Sequence, residues 1–248
     1  MKSVGAPELR ENKLQYRSAN LNLYIYPDAL VEDYLKLCPI DHTWMGLSHA
    51  IRDKLNSEFQ IPEKLRSLPG KLIYFSLGFT GSSVVELMKR MMSILSKSKH
   101  RFIIVKGQFL NDYELPPNMW GETFVPQVEI LPFVDLVITH GGNNSLLETL
   151  YFGKPLIVLP VLADQHDNAQ RVVEKKTGLK FNPFSVGEDE LLKAIDNVLS
   201  DTEMYAKVKM ISEEMRQSKS LERLVERIES IAENPIMPPL IEQKSQRY

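Results

Sequence analysis

The sequence predicts an α/β fold in which a parallel sheet is connected by crossover helices. From residue 72 onward, short apolar runs alternate with longer stretches in which apolar residues recur every three or four positions. That alternation is typical of successive strand–helix–strand units. The short runs, such as 72–77, are apolar at nearly every position, as expected of strands buried on both faces. We therefore expect a sheet of five or six parallel strands flanked by helices.

Each element of this fold has its own signal. We predict strands at 72–77, 102–105, 135–139, 155–159 and 179–181, and a weaker strand ending near 124–125. Apolar residues at helix spacing predict a helix over 84–95, and Gly153 is the expected stop of a helix over 144–152. A further helix is predicted over 168–176. The rest of the chain is predicted to be helical until Pro235.

The first 70 residues differ from the remainder. They show no strand–helix–strand rhythm, and 21–26 is their one plausible strand. We interpret 1–70 as a connecting segment, 71–232 as one large domain and 233–248 as a tail, which is consistent with a chain of 248 residues.

Composition excludes several classes of function. The 30 Lys and Arg against 32 Asp and Glu leave no positive surplus for a nucleic-acid backbone, so nucleic acid is not an expected partner. Cys38 is the single cysteine, which rules out a disulfide within the chain. The longest uncharged apolar stretch, 155–163, falls far short of the ~20 residues that cross a bilayer. We expect a soluble chain without a membrane span and favour the cytoplasm.

The segment around His140 carries the clearest chemical signal. His140 stands at the carboxyl end of a predicted strand, and ligands of open α/β sheets bind at the carboxyl ends of the strands. Gly141 and Gly142 let the backbone approach a ligand, and the amides around Asn144 and Ser145 open a helix, which favours an anion.

Glu148 follows one turn later in the same helix, and a carboxylate beside a nucleotide accepts ribose hydroxyls. Taken alone, the same residues also fit a tight turn followed by an ordinary helix cap. The order of the whole series over 45 residues favours the ligand site.

That series resembles the nucleotide-sugar signature of the UDP-glycosyltransferases. It consists of Phe124-Val125-Pro126-Gln127, His140-Gly141-Gly142, Asn144, Ser145, Glu148, Gly153-Lys154-Pro155, Pro160 and Asp164-Gln165. The resemblance covers about 71–183 and implies a Rossmann-like domain with helices on both faces of the sheet, the C-terminal half of a GT-B fold. Residues 1–70 would then be the incomplete end of the N-terminal half and its linker.

The resemblance also implies a role for each site residue. Phe124, where the family commonly has Trp, would stack on uracil, with Val125 and Gln127 close by. His140 and Ser145, with the backbone around Gly142 and Asn144, would hold the diphosphate, and Glu148 the ribose. Asp164 and Gln165 would bind the sugar hydroxyls, and Gly78 would form a second glycine turn facing the ligand.

The implied reaction is transfer of a hexose from a UDP-sugar, with UDP-glucose preferred, to a small lipophilic or phenolic acceptor. The catalytic base of the family is a histidine in the N-terminal domain, so no catalytic residue is assigned here and this chain alone is expected to be poorly active. The sequence contains no Asp-x-Asp pair, and neither a metal nor another cofactor is expected. Two alternatives stay open, a UDP-sugar-binding module without catalysis and an enzyme resembling a UDP-sugar epimerase.

Overall fold

A computed structural model describes residues 17–51, 59–108 and 113–236 of the chain. Its strands are β1 (Asn22–Ile25), β2 (Trp44–Leu47), β3 (Leu72–Ser76), β4 (Arg101–Val105), β5 (Met119–Glu122), β6 (Leu136–Thr139), β7 (Leu156–Val158) and β8 (Gly178–Lys180). Its helices are α1 (Asp28–Leu37), α2 (Glu63–Arg66), α3 (Gly78–Ser82), α4 (Val85–Leu95), α5 (Gln127–Ile130), α6 (Asn143–Tyr151), α7 (Gln165–Glu174), α8 (Glu188–Ser200), α9 (Thr202–Gln217) and α10 (Ser220–Glu233). A 3₁₀ turn at Leu131–Phe133 follows α5.

The chain divides into two units, one made of residues up to 48 with those from 219 onward, the other of residues 49–218. The larger unit contains a six-stranded parallel sheet in the order β5-β4-β3-β6-β7-β8. Helices cover both of its faces, which confirms the predicted fold class. The predicted domain bounds at 70 and 232 stay a prediction, and α10 belongs by its contacts to the smaller unit.

Side chains alternate between two apolar layers along the central strands. On β3, Ile73 and Phe75 pack in the cluster that holds the buried residues of α4 and α8. Leu72 and Tyr74 point to the other face, where the cluster includes Ile130 of α5. Burial on both faces explains why these strands read as continuous apolar runs.

The smaller unit contains a strand–helix–strand unit that the sequence did not predict. Its strands β1 and β2 pair in parallel and are joined by α1. Strand β1 lies within the strand predicted at 21–26, whereas α1 and β2 were not predicted. Strand β2 is only four residues long and largely half-buried, so it carries little apolar signal. Part of the predicted connector, 1–16 and 52–58, lies outside the described residues.

Three further boundaries differ from the predictions. The strand expected to end near 124–125 ends at Glu122. The predicted glycine turn after β3 contains a single helical turn, α3. Helix α7 begins at Gln165, three residues before the predicted start. Short elements have few residues to carry a periodicity, which makes their ends hard to place.

Among the described residues, none of the helices is long and apolar enough to cross a membrane.

Candidate functional site

The site residues converge because the central strands of the sheet end together. Ser76 of β3 lies opposite Thr139 of β6 in the strand register, and the amide of His140 donates to the carbonyl of Ser76 at 3.3 Å. The segments that leave the carboxyl ends of these strands therefore meet at one edge. Gly78 and His140 are neighbours there.

The imidazole of His140 is held between two glycines. A Cβ atom at Gly78 would lie 2.6 Å from its Nε2 atom, and a Cβ atom at Gly142 would lie 2.5 Å from the same atom. Gly78 also has a φ of +64°, which side chains other than glycine rarely adopt. Both positions therefore require glycine for the ring to keep its place.

Burial governs the protonation of His140. It lowers the pKa of the imidazole below its usual value of 6.5, opposed by a hydrogen bond to the backbone of Ser76 and by the charge of Asp164. The ring is therefore neutral at pH 7 and carries one N–H. A neutral imidazole binds an anion as a hydrogen-bond donor, and it gains charge when an anion stabilises its protonated form.

The N-terminus of α6 opens beside this ring. Gly142 occupies the N-cap position, and no side chain among the described residues caps the helix by a hydrogen bond. Asn144 is exposed and Ser145 is half-buried in the first turn. Amides at a helix N-terminus favour an anion. The imidazole and the helix terminus lie next to each other, and their binding of an anion stays a prediction.

An open cleft of about 460 Å³ lies along the same edge. Five of the predicted site residues line it, namely Gly78, Phe124, Val125, Gln127 and Ser145. Phe124 is 64% exposed, so its ring is free to stack on a flat ligand. The cleft also includes Tyr74 and Phe79, which were not predicted as site residues.

Glu148 lies behind this cleft and is 1% exposed. The side-chain amide of Gln127 donates to its carboxylate, while the oxygen of that amide accepts from the hydroxyl of Tyr74 at 3.1 Å. Gln127 therefore stands between the cleft and Glu148. Both residues were predicted from the sequence, but their hydrogen bond to each other and the bond from Tyr74 were not. The hydroxyl of Tyr74 within an otherwise apolar strand was the one sequence feature that pointed to it.

The last two predicted residues, Asp164 and Gln165, lie at the N-cap and at the first residue of α7, and neither lines the cleft. The side-chain oxygen of Gln165 accepts from the amides of Val161 at 2.9 Å and Leu162 at 3.0 Å, so it closes its own loop. Asp164 is exposed and directly follows Ala163, whose φ of +51° is unusual for a residue with a side chain. Backbone strain of this kind concentrates at functional sites.

Asn168 connects this loop to the anion site. It is fully buried, and its side-chain amide donates to the carbonyl of Gly141 at 2.9 Å. The first turn of α7 is thereby fixed to the turn after β6.

Two other histidines, His49 and His100, lie outside the cleft and have structural contacts. His100 is buried, accepts from the amide of Lys71 and pairs with Asp196 at 2.8 Å, and the ring of His49 packs on Tyr151. In the part of the chain that the structure describes, no three His, Cys, Asp or Glu side chains are grouped to hold a metal ion.

Comparison with known proteins decides the family. The model of the UDP-glucuronosyl and UDP-glucosyl transferase family matches residues 50–231, well over half of the chain. The chain belongs to this family. The match includes every residue of the predicted site.

Curated relatives agree with the assignment. The chain is 30% identical over 164 residues to an uncharacterized UDP-glucosyltransferase, YdhE, of Bacillus subtilis, an alignment that covers 65% of this chain and 42% of the relative. It is 30% identical over 170 residues to the NDP-glycosyltransferase YjiC of the same organism, covering 67% of this chain and 43% of the relative. The chain thus matches less than half the length of these relatives.

Solved structures show the same fold. The glycosyltransferase of kitacinnamycin superposes with a TM-score of 0.74 at 22% identity, covering 85% of this chain and 54% of that one. The calicheamicin glycosyltransferase CalG4 gives 0.70 at 19% identity, covering 88% and 55%. The predicted GT-B fold is confirmed by these glycosyltransferases.

Proposed function

We propose that this chain is the nucleotide-sugar-binding half of a UDP-glycosyltransferase and that its cleft binds a UDP-sugar, with UDP-glucose preferred. The observation that carries the proposal is the convergence, at one edge of the sheet, of an exposed aromatic ring, a buried carboxylate reached through Gln127, and an imidazole beside a helix N-terminus. These are partners for the base, the ribose and the diphosphate of one nucleotide. Residues 71–232 are the proposed binding domain.

Each part of the ligand has a proposed partner. The uracil stacks on Phe124, next to Val125. The diphosphate accepts from His140 and from the amides around Asn144 and Ser145. The ribose hydroxyls donate to Glu148, and the sugar lies toward Asp164 and Gln165. For Gln165 the nitrogen of the amide is the available group, because its oxygen holds the loop.

The proposed reaction is transfer of the hexose to a hydroxyl of a small lipophilic or phenolic acceptor. Acceptor binding and the base that deprotonates the hydroxyl are placed in an acceptor domain outside this chain. A positive potential on the leaving diphosphate comes from the helix terminus and from His140, without a role for a metal.

Calorimetric titration with UDP tests the binding step. We expect saturable binding by the unmodified chain and a loss of about 1–3 kcal/mol in Phe124→Ala, because an aromatic ring stacked on a base contributes that much. Phe184→Ala is the matched control, since Phe184 is also exposed but lies outside this cleft. Absence of UDP binding at millimolar concentration, or equal affinities of the two variants, contradicts the proposal.

A further inference from the structure

A chain of hydrogen bonds leads from the sheet to Glu148. The hydroxyl of Tyr74 donates to Oε1 of Gln127 at 3.1 Å, and Nε2 of Gln127 donates to the carboxylate of Glu148. The hydroxyl of Ser145 lies 3.5 Å from the same Oε1 atom. Tyr74, Gln127 and Ser145 also line the cleft, so the chain links the cleft surface to the carboxylate behind it.

Packing does not account for the hydroxyl of Tyr74. Its ring lies in an apolar cluster with Ile103 and Val125. The next residue of the strand, Phe75, is buried equally well in the opposite cluster without a hydroxyl. A buried hydroxyl destabilises the fold unless it is hydrogen-bonded, so a phenylalanine would serve the core with fewer constraints. The distinguishing property of Tyr74 is its bond to Gln127.

That bond, the shorter of the two hydroxyl contacts to Oε1, sets which way the amide of Gln127 faces. A side-chain amide has an accepting oxygen and a donating nitrogen at opposite ends. Because Tyr74 donates to the oxygen, the nitrogen is turned toward Glu148. With the amide reversed, its oxygen would face the carboxylate and repel it. Tyr74 therefore acts on the bond between Gln127 and Glu148 by holding the amide in this direction.

We infer that Tyr74 is a positioning residue that acts through Gln127 to orient Glu148 toward a ribose, and that this chain of bonds sets a preference for ribonucleotides over 2′-deoxyribonucleotides. The inference rests on the proposed function. A carboxylate can accept about four hydrogen bonds, and the amide that donates one of them fixes the orientation of the carboxylate and therefore of its other acceptor positions. Two adjacent ribose hydroxyls use that direction, whereas a 2′-deoxyribose has lost one of them.

The test compares the affinities for UDP and 2′-deoxy-UDP in Tyr74→Phe, measured by calorimetry. UDP affinity is expected to fall about three- to tenfold, the range of one neutral hydrogen bond, while 2′-deoxy-UDP affinity changes less than about twofold. Tyr205→Phe is the matched control. The hydroxyl of Tyr205 donates to the carbonyl of Asp135 at 2.6 Å away from the cleft, so its removal lowers stability and leaves the affinity ratio unchanged.

The ratio of the two affinities separates positioning from a structural role. If Tyr74→Phe lowers the affinities for UDP and 2′-deoxy-UDP equally, their ratio is unchanged and the inference is overturned. Gln127→Asn breaks the same chain at its middle and is expected to reduce the ratio as well, which provides a second measurement if Tyr74→Phe folds poorly. If the unmodified chain does not bind UDP, the proposed function is overturned and the inference with it. This outcome differs from failure of the inference alone, in which the unmodified chain binds UDP and only the effect of the substitution is missing.

Discussion

At the residue scale, the burial of Glu148 makes its removal informative. In Glu148→Ala the amide of Gln127 loses its acceptor, and the ribose hydroxyls lose theirs. We expect UDP affinity to fall by about 1–3 kcal/mol, the cost of leaving such groups unpaired. Glu174→Ala, on the exposed face of α7, is the control and leaves the affinity unchanged. Calorimetry that shows equal UDP affinities for both folded variants would remove Glu148 from the site.

Protonation of His140 is expected to make the affinity for UDP-glucose depend on pH. The pKa of the free imidazole is lowered by burial, and a bound diphosphate raises it by stabilising the imidazolium. The affinity for UDP-glucose therefore rises as the pH falls through the pKa of the complex, and it levels off below the pKa of the free protein. A shift of about half to one unit corresponds to a rise of roughly three- to tenfold.

The measurement is calorimetry with UDP-glucose between pH 8 and pH 5. UDP-glucose is preferred to UDP because it lacks a terminal phosphate, whose pKa near 6 would overlap the titration. His140→Asn keeps a hydrogen-bond donor and is expected to show no such rise. A pH dependence that persists in this variant assigns the effect to another group.

The identities of the site residues were accessible to sequence reasoning, but their contacts were not. His140 follows a strand and precedes a helix, so its place at the sheet edge comes from local pattern alone. The bond between Gln127 and Glu148 joins side chains 21 positions apart, and the side-chain oxygen of Gln165 turns to its own loop. Such contacts depend on the packing of several elements and leave no periodicity in the sequence.

At the scale of elements, the turn between β3 and α4 must leave room for His140. Gly78→Ala places a Cβ atom 2.6 Å from Nε2 of the ring and adds strain at a φ of +64°. Gly153, after α6, has the same φ of +64°, but a Cβ there meets nothing closer than 3.5 Å. The two substitutions therefore share the backbone strain, about 1–2 kcal/mol, and differ in the contact with His140.

Both variants are expected to unfold at lower temperature than the unmodified chain. Gly78→Ala is expected to lose at least about tenfold in UDP affinity because the imidazole must move. Gly153→Ala is expected to retain its affinity. Thermal unfolding combined with calorimetry checks both statements, and equal UDP affinities in the two variants would show that the position of the ring is unimportant for binding.

Strands with a continuous apolar signal were predicted well, whereas α1, β2 and the helical turn α3 were missed. Strands β3, β6 and β7 are buried throughout and β4 is buried at its three central residues, which gives them a continuous apolar signal. Strands β1 and β2 lack that signal, so the unit they form with α1 was missed. The segment after β3 reads as a glycine turn because Gly78 and Gly81 dominate it, although the chain completes a helical turn there.

At the scale of the whole molecule, the proposed contacts to the nucleotide all lie in the larger unit. The chain matches less than half the length of its curated relatives. We therefore expect binding and transfer to separate in this chain. UDP-glucose binding needs the cleft and the helix terminus, which are present, whereas transfer also needs a positioned acceptor and a base.

The last prediction is that the purified chain binds UDP-glucose and forms glycoside at no more than about ten times the uncatalysed rate. General-base assistance contributes about 10²–10⁴-fold, and the positioning of two reactants contributes more. Under the proposal that both belong to an acceptor domain outside this chain, we expect the chain alone to provide little acceleration. Calorimetry measures the binding, and chromatography of phenolic acceptors incubated with UDP-glucose measures the transfer, with a reaction that contains no protein as the reference for the uncatalysed rate. Rapid glycoside formation by the chain alone would place a base within it, and substitution of His42, His49 and Asp164 in turn would then identify the group that accepts the proton.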